Sequence, residues 1–185
     1  MLKLIVGISG ASGAVYGVRL LEELEKRKIE TYLIVSHAAE QTIKIEVGMT
    51  VNQLKDLATV RYNINDLQAP IASGDFKANG MVIIPCSMKT LAGIANGYSD
   101  NLLLRAADVT LKERRQLVLV PRETPLSPIH LENMLKLSKI GVTILVAAPA
   151  FYYKPRDVND LVDYIVGKVL DSFNIEHKLY EKWKA

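Results

Sequence analysis

The sequence predicts an α/β protein, a doubly wound and mostly parallel sheet covered by helices on both faces. Three observations carry that expectation. Short apolar runs rich in β-branched residues alternate with amphipathic stretches of helical spacing. Loops carrying Gly, Ser, Thr and Pro follow several of the runs, where such a sheet places its turns. The chain has 185 residues, 49% apolar and 23% charged, a globular mixture long enough to bury one sizeable core.

The first strand is expected over residues 2–9, followed by a helix over 14–27 that sets Val18, Leu21 and Leu24 near one face. A second strand over 31–36 leads into a helix over 38–46. The stretch 47–78 is less periodic and is read as a short helix, a weak edge strand and a loop at 69–74. A strand over 80–85, with Cys86 at its end, precedes helices over 88–95 and 102–115. The strand 116–121 precedes a helix over 129–140, and a fifth apolar run at 142–147 precedes a helix over 158–173. No internal repeat, low-complexity segment or linker interrupts this order, so residues 1–185 read as one domain.

Composition narrows the function classes. A net charge of +3 gives no case for nucleic acid as the main partner. Cys86 is the single cysteine, which rules out an intrachain disulfide and a thiolate metal cluster within one chain and suits a reducing compartment. The apolar start, Met1 to Ile8, is too brief for a secretory segment and runs straight into a strand–loop–helix pattern. No stretch reaches the roughly 18–20 apolar residues that cross a bilayer. The expectation is a cytoplasmic protein with no membrane partner.

The chemistry-bearing residues gather at strand ends. Gly7-Ile8-Ser9-Gly10-Ala11-Ser12-Gly13 lies where the first strand turns into a helix. Glycine lets backbone approach a ligand, a helix N-terminus favours anions, and Ser9 and Ser12 add hydroxyls, so this loop is read as a phosphate cradle. Its spacing is neither the dinucleotide GxGxxG nor the lysine-bearing P-loop. Pro85-Cys86-Ser87-Met88-Lys89-Thr90 enters a second helix in the same way, with Ser87 as its cap. In a sheet ordered 3-2-1-4-5, these two loops flank the switch point and converge on one site. Cys86 has no histidine or basic residue locally paired with it and reads as a buried small residue.

Arg105, Asp108 and Lys112 fall on one face of their helix, a pattern that taken alone is better explained by a solvated stripe with Asp108 bridging its neighbours. Arg122 offers a fork for phosphate, and Glu123 beside it a carboxylate for proton transfer. The aromatic turn Pro149-Ala150-Phe151-Tyr152-Tyr153-Lys154-Pro155 suits a lid or an interface. His37, His130 and His177 lack metal-site spacing, and no paired-acid motif calls for Mg²⁺.

With these motifs in hand, the sequence resembles the UbiX-type flavin prenyltransferases, and the resemblance covers essentially the whole chain. It is carried by the two loops above and by Arg105-Ala106-Ala107-Asp108-Val109-Thr110-Leu111-Lys112-Glu113, Leu119-Val120-Pro121-Arg122-Glu123-Thr124-Pro125 and Ile129-His130-Leu131-Glu132-Asn133-Met134, in order. The resemblance implies a Rossmann/flavodoxin-like three-layer sandwich and transfer of the dimethylallyl group of dimethylallyl monophosphate to N5 and C6 of reduced FMN, without a metal. It implies a UbiD-type decarboxylase as recipient of the prenylated FMN, and a homo-oligomer, commonly a dodecamer.

The resemblance also implies site residues. FMN would be held by Gly10, Ala11, Ser12, Ser36, Ser87, Met88, Lys89, Thr90 and Arg122. The prenyl phosphate would meet Tyr152 and Lys168, with Arg105, Lys112 and Arg122 nearby. Glu46, Glu123, Ser12, Lys112 and Trp183 would serve the chemistry. Members of the family often carry arginine where Lys168 stands; lysine keeps the charge and loses the fork. A competing reading is an FMN-dependent decarboxylase of a small or aromatic acid, for which His37 is the only early histidine. A passive flavin binder would need neither the basic cluster nor the two glutamates.

Overall fold

The computed structural model describes residues 2–183. Its six strands are β1 (Lys3–Ile8), β2 (Glu30–Val35), β3 (Val60–Tyr62), β4 (Gly80–Cys86), β5 (Gln116–Pro121) and β6 (Thr143–Ile144). They form one sheet in the order β3-β2-β1-β4-β5-β6, and every neighbouring pair is parallel. The order reverses between β1 and β4, which opens a crevice at their C-terminal ends.

The helices are α1 (Ala14–Lys26), α2 (His37–Val47), α3 (Met88–Ala95), α4 (Leu102–Lys112), α5 (Pro128–Lys139) and α6 (Val158–Ser172). Alternation along the strands divides the core in two. Leu4, Val6 and Ile8 of β1, with Val82 and Ile84 of β4, pack beneath α1, α2 and α6. Ile5, Met81 and Ile83 face the other way, into the cluster under α3, α4 and α5. The four central strands β1, β2, β4 and β5 are buried on both faces, which is why the sequence shows continuous apolar runs there, while the edge strands β3 and β6 are only half-buried.

Two elements differ from the sequence expectation. The run 142–147 yields only a two-residue strand. Leu145 and Ala147 still donate their N–H groups to Leu119 and Pro121, at 2.8 and 3.1 Å, but Pro121 has no N–H to return. The helix expected to reach 115 ends at Lys112, because Arg114 takes a left-handed turn (φ 54°). Arg115 is then pinned by its guanidinium to the carbonyls of Phe76 and Gly74, at 2.6 and 2.7 Å, which aims the chain into β5. The weakly periodic stretch holds the short helix and edge strand expected of it, the 3-10 helix Gln53–Leu57 and β3, and the loop at 69–74 carries a further 3-10 turn, Pro70–Ala72. Among the described residues no helix is long and apolar enough to cross a membrane.

Candidate active site

The crevice between β1 and β4 is a cleft of about 500 Å³. Gly10, Ser36, Ser87, Lys89 and Thr90 line it, so five of the residues singled out for flavin meet at one place. Two helices begin at its edge. Ser36 Oγ accepts the Ala39 N–H to cap α2, and Ser87 Oγ accepts the Thr90 N–H to cap α3. The N–H groups of the first helical residues have no acceptor within their own helices, so both N-termini present positive potential to the cleft. Gly10 has no room for a side chain: a Cβ there would lie 2.4 Å from that of Ala38, so glycine alone lets the first loop pack against α2.

The phosphate role expected for the N-terminus of α1 is corrected by Glu46. Its carboxylate accepts the N–H groups of Gly13 and Ala14 at 2.9 and 2.8 Å, occupying the positive end of that helix. The helix N-termini that line this cleft are those of α2 and α3. Ser9 is corrected as well. It is buried, and its hydroxyl donates to the Pro85 carbonyl at 3.0 Å while accepting the Ser87 N–H at 2.8 Å. That hydroxyl stitches the two strand-end loops together and is not offered to a ligand.

Beside the cradle, Arg122 donates Nε–H to the Ser12 carbonyl at 3.0 Å, which ties the end of β5 to the first loop. Ser12 is exposed at the tip of that loop. Tyr16, which the motif reading passed over, would meet a Cβ on Gly13 at 2.9 Å. Burial pushes its phenol up, and the Arg122 charge opposes that shift. The Glu123 carboxylate accepts the Thr124 N–H at 3.0 Å. Ala11 is buried behind the loop and Met88 packs into the core, so neither lines the cleft.

The turn after β6 carries an aromatic pocket of about 250 Å³, lined by Tyr152, Tyr153, Glu181, Lys182 and Trp183. Trp183 stands edge-on to Tyr152 with centroids 5.2 Å apart. Tyr153 stacks on Tyr164 at 5.4 Å, and Tyr164 leans on Tyr180 at 4.8 Å. Lys168 opens onto a different cleft, with Nζ 5.6 Å from the ring centres of both Tyr164 and Tyr180. Lys168 and Tyr152 thus share Tyr164 as a neighbour and line separate hollows.

Arg105 and Lys112 do not join the cleft within one chain. Arg105 pairs with Asp108 at 2.8 Å and donates to the Ala72 carbonyl, while Lys112 pairs with Glu113 at 2.5 Å near Gly74, at the far end of α4. Cys86 is fully buried, and burial pushes its thiol far up, so it is inert. The motif reading missed the outer wall of the cleft, made by Ile64, Asn65, Asp100, Asn101 and Leu104. Leu102 donates its N–H to the Ile64 carbonyl at 2.8 Å, and Asn101 caps α4 through the Leu104 N–H. The Asp-Asn cap and the Asn-rich turn are the signals that marked this wall in the sequence.

A parallel three-layer fold with two Ser-capped helix N-termini at its switch point defines a protein that holds an anionic, nucleotide-like ligand. A family model described as Flavoprotein matches residues 1–170. The flavin prenyltransferase UbiX of Halalkalibacterium halodurans is 51% identical over 188 residues, covering 96% of this chain and 91% of that protein. The dodecameric FMN-dependent UbiX-like decarboxylase of Escherichia coli O157:H7 superposes with a TM-score of 0.97 at 51% identity, over 100% of both chains. AnUbiX, in complex with FMN and dimethylallyl pyrophosphate, gives 0.97 at 47% identity, over 100% of this chain and 98% of that one. This chain belongs to the flavoprotein family and, within it, to the UbiX-type flavin prenyltransferases.

Proposed function

We propose that this protein joins the dimethylallyl group of dimethylallyl monophosphate to N5 and C6 of reduced FMN, releasing phosphate, and that a UbiD-type decarboxylase takes up the product. The observation that carries the reading is the cleft at the β1/β4 switch, which the N-terminal ends of α2 and α3 line together with Gly10. Two helix N-termini with Ser36, Ser87, Thr90 and Lys89 form a donor set suited to a flavin phosphate, and Gly10 keeps the loop low enough for a planar ring system to approach. The whole described chain serves as one FMN-binding domain.

Bound reduced flavin supplies the nucleophilic atoms. The chain's own residues do the rest. Arg122, held by the Ser12 carbonyl, stands beside the cradle to neutralise the charge that gathers on a departing phosphate. Ser12, at the tip of the first loop, orients the phosphate ester. The faces of Tyr152 and Trp183 suit positive charge developing on an allyl group. Glu123, or the released phosphate, accepts the ring proton lost on closure. Glu46 holds the loop in place through Gly13 and Ala14.

Arg105 and Lys112 reach a prenyl phosphate only if a second copy presents them, which fits assembly as a homo-oligomer like the dodecameric relative. The exposed apolar side chains Ile129, Leu131 and Leu135 on α5 suit burial between copies. The reading includes no nucleic-acid partner and sets the protein in the cytoplasm.

Incubating the protein with reduced FMN and dimethylallyl monophosphate, then taking the mass and absorption spectrum of the flavin, tests the reading. A five-carbon mass gain supports it. His37 lines the same cleft, which favours an FMN-dependent decarboxylase as the second reading. An unmodified flavin with CO₂ released from an added aromatic or thiol-bearing acid would establish that reading instead.

A further inference from the structure

Beyond α6 the chain reverses. Asn174, with φ 55°, makes the turn, Ile175 donates its N–H to the Leu170 carbonyl, and residues 175–183 run back along the helix they have just left. Arg27, the C-cap of α1, grips the start of this return by donating Nε–H to the Glu176 carbonyl at 3.1 Å. One side chain then gathers the rest. Asp171 Oδ1 accepts from His177 Nε2 at 3.1 Å and from Lys182 Nζ at 2.7 Å, and Oδ2 accepts the Tyr180 hydroxyl at 2.9 Å.

The imidazole is oriented for this. His177 Nδ1 accepts the Leu179 N–H at 3.3 Å, so the proton sits on Nε2 and points at Asp171 even in the neutral ring. Burial pushes the Asp171 carboxyl up, and the Lys182, Tyr180 and His177 groups outweigh it, leaving the carboxyl below its ordinary value. The return path also needs a notch in the helix. A Cβ on Gly167 would come within 2.6 Å of the Tyr180 ring and 2.7 Å of the His177 ring. Glycine in the middle of a helix is unfavourable by itself, so its use here answers the tail and not α6.

We infer that residues 175–183 form a strap, latched by Asp171 and seated in the Gly167 notch, whose task is to hold Trp183 against Tyr152. Asp171 and Gly167 are positioning residues. Neither lines the flavin cleft or the aromatic pocket, although Asp171 borders the hollow onto which Lys168 opens, and both act through the strap. The inference rests on the reading that the Tyr152 pocket takes the prenyl group. The strap then forms a wall of that pocket, and its release weakens prenyl phosphate binding without disturbing the flavin cradle across the sheet.

The protein has one tryptophan, so its fluorescence anisotropy reports the strap alone. Asp171→Asn and Gly167→Ala are each compared with the unaltered chain. Alanine is the better helix former, so a loss in Gly167→Ala comes from the unseated tail and not from α6. Both variants are expected to show a clear fall in Trp183 anisotropy and a rise of fivefold or more in the KM for dimethylallyl monophosphate. FMN affinity should stay within twofold, and Asp171→Glu should recover part of the loss. Unchanged anisotropy in both variants overturns the latch. Lower anisotropy with an unchanged KM overturns its link to the site. If the unaltered protein transfers no prenyl group, the functional reading fails, while the anisotropy still decides whether the latch exists.

Discussion

Glu46 closes the first turn of α1 by accepting the Ala14 N–H at 2.8 Å, with the same carboxylate oxygen taking the Gly13 N–H. An anion supplied by the protein thus occupies the place where a phosphate was expected. Glu46→Gln keeps an acceptor and loses the charge, so it should cost about 0.3–1 kcal/mol of stability. Glu46→Ala removes the cap and should cost about 1–2 kcal/mol. Urea unfolding reads both. FMN affinity should stay within about threefold in each, because the cradle belongs to α2 and α3. A collapse of flavin binding would return the α1 terminus to the phosphate site.

Gly10→Ala probes the cradle itself. The new methyl would lie 2.4 Å from the Ala38 Cβ, and that neighbour sits on backbone at the start of α2. It has no rotamer with which to move aside, so the loop and the helix must separate. Overpacking of this kind costs about 1–3 kcal/mol. The damage should fall mostly on the ligand, as at least a tenfold loss of FMN affinity in a titration of flavin fluorescence, because the separated N-termini no longer converge. Flavin binding at the unaltered strength would show that α2 takes no part.

The sheet was legible because its four central strands are buried on both faces, so β1, β2, β4 and β5 appear as unbroken apolar runs in the sequence. The position of the cleft was legible for a related reason. A strand order of 3-2-1-4-5 forces the loops at Gly10 and Ser87 together, and short-range turn chemistry names both loops. Long-range pairing was not legible. That Ser9 bonds Pro85, or that Glu46 reaches back to Ala14, depends on where α2 packs against α1, and no periodicity encodes it. Pro121 shows a subtler limit: an ordinary strand-end proline silences the ladder that β6 needed. Arg105 and Lys112 sit on one helical face as the spacing indicated, yet that face looks away from the cleft of its own chain.

Glu23 offers a test that reads the packing of α1. It is 2% exposed and pairs with Arg19 at 2.9 Å and with Arg27. Burial pushes its carboxyl up, and the Arg27 hydrogen bond with the Arg19, Arg27 and Lys26 charges brings it below the ordinary value. A carboxyl depressed in the folded state contributes stability that is present above its unfolded pKa and is lost as pH falls through the folded one. Glu23→Gln should therefore cost about 1–3 kcal/mol at pH 7. The gap between variant and unaltered protein should narrow below roughly pH 4, as the native carboxyl protonates. Parallel urea midpoints at pH 7 and in mild acid measure it, and a gap that stays constant with pH refutes the assignment.

Lys168 stands where the family resemblance led to an expectation of arginine, and the structure gives lysine a defined setting. Its ammonium lies 5.6 Å from the centres of both Tyr164 and Tyr180, while Tyr152 meets Tyr164 at 6.3 Å from another side. A compact ammonium between two rings is held by cation–π attraction but cannot grip a phosphate with two parallel hydrogen bonds. A guanidinium can stack on the same rings and extend a fork past them. Lys168→Arg should therefore lower the KM for dimethylallyl monophosphate by about threefold, and Lys168→Gln should raise it at least about tenfold. Turnover at saturation should change less than about twofold in both, since binding shared by ground and transition states moves KM alone. If KM is unmoved in both variants while Trp183 anisotropy falls, the lysine serves the tail through Tyr180 and has no part in holding the substrate.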